Sequence, residues 1–172
     1  MAAALSNTGY LFGQKGDVAK QLDYSLKSLK IQQELGDKEG AAASLNNIGY
    51  TYGKLGNISK QVEYYSLSIQ LMRELGDKKG MAVLYNNLGS IYDNQGNIPL
   101  ALDHYQRSLS MSEETGYTRG VIFALLNIGV VYSRQDELSK ALEYYSRSLQ
   151  TARKAGDRQG ESFSLNSFGL AY

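Results

Sequence analysis

The chain has 172 residues, with 18 Lys and Arg against 17 Asp and Glu, a formal net charge of +1, one His and no Cys. The balanced charge argues against a nucleic-acid binder and against a polybasic membrane anchor, and the missing thiol excludes disulfides, thiolate metal sites and a Cys nucleophile. No apolar run approaches the ~18 residues of a membrane span, and Met1-Ala2-Ala3-Ala4-Leu5-Ser6 lacks the basic start and apolar stretch of a signal peptide; a cytoplasmic protein is expected.

Residues 1–35 read as a two-helix unit without its first turn. Full units follow at 36–75, 76–115 and 116–155, and 156–172 is a first helix without its partner. A single array over 1–172 is expected. The glycines set this frame. All 18 fall on five phases of a 40-residue period, for example Gly9, Gly49, Gly89, Gly129 and Gly169. A fixed period of this size marks a repeat architecture.

In the unit 36–75, the first helix runs from about Asp37 to Lys54, with an apolar stripe Ala41, Leu45, Ile48 and Tyr52 at helical spacing. Asp37 suits the N-cap, and Gly36 suits the left-handed end of the preceding helix. The second helix runs from about Ile58 to Glu74, on the stripe Ile58, Val62, Tyr65, Ile69 and Met72. Gly56 and Asn57 make a short turn, so the two helices are antiparallel. Pro99 falls in the first turn of a second helix, where no intrahelical N–H is lost. The unit 116–155 departs twice. Asp136 must take the role of the turn glycine, and Tyr117 replaces the Asp cap, with Thr118 as its substitute. Gly49 and its equivalents sit mid-helix at a cost of ~1 kcal/mol each, which close helix approach would offset. The facing residue is small in two units, Ala101 and Ala141, and is Gln21 or Gln61 in the others.

The motif Leu45, Ile48, Gly49, Tyr52, Tyr65 and Ser68 resembles the tetratricopeptide repeat. Leu125, Ile128, Gly129, Tyr132, Ala141, Tyr145 and Ser148 match throughout, and the next-to-last full unit departs at Tyr85. The inter-repeat Pro of the family is missing, and the period exceeds the usual ~34 residues. This longer variant resembles the arrays of Leu-Gly-Asn-repeat adaptors and of bacterial signalling proteins. The resemblance implies an all-α fold, a right-handed superhelical α-solenoid of antiparallel helix pairs. First helices then line a concave groove and second helices form the convex side.

On that frame, the positions complementary to the core stripe (43, 46, 47, 50, 53 and 54) face the groove. One row is Asn7, Asn47, Asn87 and Asn127, and beside it run Asn46 and Asn86. An Asn amide both donates and accepts, so it suits a peptide backbone. It equally suits its own neighbours and water. By resemblance, this row is the family's peptide-backbone ladder. Tyr50 and Lys54 join it early in the chain. Further on, Phe123, Val130 and Phe163 make the groove more apolar, and Arg134 adds charge opposed by Asp93. The aromatic and aliphatic groups either take an apolar anchor of a partner or pack on the neighbouring first helix. The family's carboxylate clamp is not supported, because its Lys position holds Asn46, Asn86 and Leu126.

No catalytic, metal or cofactor site is read. His104 stands in the phase of Tyr24, Tyr64 and Tyr144, and Lys20, Lys60 and Lys140 precede Asp23, Glu63 and Glu143 by three residues as surface helix pairs. The expected function is a non-enzymatic scaffold that binds a peptide or protein segment, with no nucleic acid or membrane partner. Two alternatives stand beside it. One is a regulatory sensor module of a larger signalling protein. The other is self-assembly as a homo-oligomer through open repeat ends.

Overall fold

The computed structural model describes residues 1–170, the last by its backbone alone. Among them lie nine α-helices and no strand: α1 Ala2–Gln14, α2 Val18–Leu35, α3 Lys38–Lys54, α4 Ile58–Leu75, α5 Lys78–Asn94, α6 Ile98–Glu114, α7 Thr118–Arg134, α8 Leu138–Ala155 and α9 Arg158–Leu170. Residues 171 and 172, the end of the last expected helix, lie outside the described residues. The chain divides into two compact units. One spans Met1–Asp77 and holds α1–α4; the other runs from Lys78 onward and holds α5–α9.

The turns follow from their residues. Asp17, Asp37, Asn57 and Asn97 each accept a backbone N–H three residues on, at 3.0, 2.9, 3.1 and 3.3 Å, which satisfies one orphan donor per helix. Pro99 sits in the first turn of α6. Asp136 occupies the turn at φ 63, the left-handed region that Gly16, Gly56 and Gly96 take in the other repeats. Aspartate tolerates that region better than most side chains. Thr118 does not replace the missing cap. α7 starts with no side-chain cap bond, and the Thr118 hydroxyl reaches back to the carbonyl of Gly116 at 3.5 Å.

In the first unit, Leu29, Ala41, Leu45 and Ile48 form a buried cluster. In the second, Ala101, Tyr105, Leu109, Val121, Leu125, Ile128 and Val131 form a larger one. The mid-helix glycines explain the contact inside each pair. A Cβ on Gly89 would lie 2.5 Å from Cδ1 of Tyr105, and one on Gly129 2.5 Å from Cε1 of Tyr145. The glycine therefore makes room for a tyrosine ring, not for the facing small residue that the sequence suggested. That small residue answers a different position. Gly13 and Gly53 accommodate the side chains of Gln21 and Gln61, since a Cβ there would lie 2.3 and 2.6 Å from their amides. Repeats with Asp93 or Ser133 at the glycine's position carry Ala101 or Ala141 instead. Large and small exchange places across the pair, which conserves the volume the helices enclose.

Hydrogen bonds repeat with the packing. Buried Ser28, Ser68 and Ser148 donate to the carbonyls of Ala2, Ala42 and Ile122 at 2.9, 2.8 and 3.2 Å. At the far end of each pair, two aromatic rings stack: Phe12 on Tyr24, Tyr52 on Tyr64, Tyr92 on His104 and Tyr132 on Tyr144, with centroids 5.1–5.6 Å apart. Lys20, Lys60 and Lys140 lie over the first ring at 4.8, 4.8 and 5.0 Å. Their expected pairing with the carboxylates three residues on is therefore corrected. Each lysine points back toward its helix N-terminus, as helical side chains do. There it meets a ring, and in two cases a carboxylate three residues before it, Asp17 or Glu137. Asp23 and Asp103 pair instead with Lys27 and Arg107, four residues on, the favourable order on a helix.

Two predictions follow the packing. Gly89→Ala should destabilise the chain by roughly 1–2 kcal/mol, because overpacking against Tyr105 exceeds the helix-propensity gain; urea unfolding measures it. His104, whose Nδ1 is buried without a partner, is held below its usual value of 6.5 by burial, with Asp103 opposing and Arg107 assisting. A lowered folded value means stability present above about pH 6.5 and lost as the pH falls. His104→Tyr, the residue of the other repeats, should flatten that acid limb in melting temperatures measured from pH 7 to 5.

Candidate functional site

The first helices carry their core stripe inward, so the complementary residues emerge on one face. In the unit Met1–Asp77, that face holds the exposed amides of Asn7 and Asn47, with Asn46 half-buried beside them. Tyr10 and Tyr50 are 63% and 51% exposed, and the ammonium of Lys54 lies 5.0 Å above the Tyr50 ring. Between α1, α2 and α3 runs a cleft of about 250 Å³, lined by Ser6, Tyr10, Gly13, Gln14, Gln21, Ser25, Asn47, Tyr50 and Lys54.

In the unit from Lys78 onward, the same face behaves differently. Asn86, Asn87 and Asn127 are half-buried, and the Asn127 amide donates to Oδ1 of Asn86 at 2.9 Å. Here the amides serve each other across neighbouring first helices, the local role that an Asn equally suits. Phe123 is half-buried against Phe163 with ring centroids 6.0 Å apart, and the guanidinium of Arg119 lies 5.9 Å from the Phe123 ring. Phe163 and Val130 remain exposed at 43% and 36%. A smaller cleft of about 190 Å³ lies beside Phe123, between Val83, Asn86, Asn87 and Tyr117. The expected groove cation Arg134 is engaged by an ion pair with Asp93 of the neighbouring first helix. That carboxylate is only a tenth exposed, and its charge adds to burial in pushing the Tyr105 hydroxyl up to about 12.

The sequence reading missed Gln21 and Ser25. Both are buried second-helix residues that line the cleft beside Asn47 and Tyr50. The signal was Ser25, which stands where Tyr65, Tyr105 and Tyr145 recur.

Three family models described as tetratricopeptide repeat match residues 42–74, 62–114 and 124–159. The chain belongs to the tetratricopeptide repeat family. Its fold is that of an all-α repeat solenoid. BtubC (BKLC) from P. vanneervenii is 19% identical with a TM-score of 0.76, over 97% of this chain and 78% of that one. Aspartyl phosphate phosphatase F from Bacillus subtilis is 16% identical with a TM-score of 0.92, over 99% and 45%. A signal-transduction ATPase with numerous domains and a tetratricopeptide repeat sensor, from Pyrococcus horikoshii, is 15% identical with a TM-score of 0.87, over 99% and 27%. At these identities the likeness shows the fold. The chain spans less than half of the phosphatase and about a quarter of the ATPase. No curated protein matches the chain significantly. Membership makes the chain a protein-interaction scaffold and implies protein partners. Among the described residues no helix is long and apolar enough to cross a membrane.

The Asp93–Arg134 pair yields a stability prediction. Arg134→Ala leaves a nearly buried carboxylate unpaired and should cost about 1–2 kcal/mol, between the exposed and buried limits. Asp93→Ala added to it should recover part of that loss in a double-mutant cycle read by thermal unfolding.

Proposed function

We propose that the groove face of the first helices binds an extended segment of a protein partner. The observation that carries this reading is the pair of exposed amides, Asn7 and Asn47, at one position of successive first helices, beside exposed Tyr10 and Tyr50. Neighbouring helices lie ~8–10 Å apart and an extended peptide advances ~3.3 Å per residue. One amide then meets about every third residue of the ligand backbone. Such contacts read no side chain, so the aromatic and cationic groups beside them supply preference: Tyr50 and Lys54 in the first unit, Val130 and the Phe123–Phe163 pair in the second. Asn46, Asn86 and Asn127 support the row, the last two by holding each other in place.

A sensor role inside a larger protein is a second reading. It is supported by the fold likeness to the ATPase whose repeats are described as a sensor. It uses the same face and adds an output that the binding event controls.

Peptides selected from a displayed random library, with affinities measured by fluorescence anisotropy, test the groove. Asn7→Ala with Asn47→Ala, and separately Asn87→Ala, should weaken selected peptides roughly tenfold, at ~0.5–1.5 kcal/mol per hydrogen bond, with unchanged melting temperature. Unchanged affinity in both variants would refute the groove.

A further inference from the structure

Three repeats place a tyrosine ring of the second helix over the mid-helix glycine of the first: Tyr65 at Gly49, Tyr105 at Gly89 and Tyr145 at Gly129. The first repeat keeps the glycine, Gly9, but has Ser25 at the ring's position. Where the ring is missing, the structure has the cleft of about 250 Å³ bordered by Tyr10, Gly13, Gln21, Ser25 and Tyr50. That volume falls below the ~300–1,000 Å³ of sites for drug-sized ligands and suits one side chain.

The polar chemistry of the cleft has the same gap. Gln21 is 7% exposed, and its Oε1 has no hydrogen-bond partner. In the second repeat the equivalent amide, Gln61, lies within reach of the Tyr65 hydroxyl and acts on it as a donor. The first repeat thus retains the glycine and the amide of a tyrosine seat without the tyrosine. A buried acceptor without a partner is costly, and a donor arriving with a ring removes that cost.

We propose that this cleft is a seat for a tyrosine side chain of a partner segment, with the ring over Gly9 and the hydroxyl donating to Oε1 of Gln21. The terminal torsion of a glutamine is soft and roughly twofold, so the amide turns its oxygen to the incoming hydroxyl at little cost. Phenylalanine fills the same space but leaves the acceptor unpaired, so the seat discriminates between the two rings. The proposal rests on the groove reading for the source of the ring, and it names the residue class by which the first unit chooses its partner.

The test titrates the full chain with N-acetyl-tyrosinamide and N-acetyl-phenylalaninamide, read by NMR shifts of backbone amides. The tyrosine probe should shift residues around Gly9, Gln21 and Ser25, and the phenylalanine probe should bind roughly tenfold more weakly. Ser25→Tyr fills the seat from within; it should raise the melting temperature and abolish the shifts. Gln21→Met keeps the space and should erase the preference between probes. Absence of binding, equal binding of the two probes, or unchanged shifts in Ser25→Tyr overturns the seat. Asn87 lies outside this cleft, so peptide affinity lost in Asn87→Ala without probe binding to the wild type overturns the seat and leaves the groove reading standing.

Discussion

The structure depends on the absence of a β-carbon in the middle of each first helix. A helix interior tolerates glycine at a loss of about 1 kcal/mol. The chain accepts that loss at Gly49, Gly89 and Gly129 because a tyrosine ring then lies directly on the helix backbone. The ring fills the space between the paired helices, and its hydroxyl reaches Gln61, Ser90 or Ser133 toward the groove side. In those three pairs one contact fills the interior and backs the first helix. That packing decides which of its residues are left on the open face.

The same constraint explains why neighbouring positions vary in concert. With the paired helices close at the mid-helix glycine, the volume one turn away must be conserved. Gly13 with Gln21 and Gly53 with Gln61 fill it one way. Asp93 with Ala101 and Ser133 with Ala141 fill it the other way. The exchange has electrostatic consequences. An aspartate placed there lies almost buried, and the cation from the next first helix is drawn to it, so Arg134 is engaged by the fold. In the first unit the corresponding cation, Lys54, faces a glycine position and stays on the surface over Tyr50. The two units thus present different chemistry on equivalent faces for a packing reason.

Much of this was legible in the sequence. The period, the helix pairs, the caps Asp37 and Asn57, and the turn role of Asp136 follow from local stereochemistry, which the residues carry with them. The exposure of Asn7, Asn47 and Tyr50 follows from helical periodicity once the core stripe is known. Contacts between elements were less legible. That Asn127 would bond Asn86, that Arg134 would be held by Asp93, and that the lysines would turn back onto rings depends on side-chain direction and on distances across helices. Neither is encoded in spacing along one strand of sequence. Thr118 shows the limit at short range: a hydroxyl one position late falls inside the helix and does not reach the amide that a cap serves.

Repeats make departures informative, because each position comes with its own controls. His104 and Ser25 both replace a tyrosine, with opposite physical results. His104 keeps the stack, since an imidazole lies flat on Tyr92 as a phenol would, and the change shows in proton affinity. Ser25 removes the ring altogether, and the glycine and glutamine that serve such a ring in the next repeat remain. A protein interior closes over an empty space only as far as its neighbours allow. Here the neighbours are helix backbones held at their spacing by the buried Ser28 bond to Ala2. The space persists as a cleft because the bonds that hold the helices apart do not depend on the ring that would have filled it.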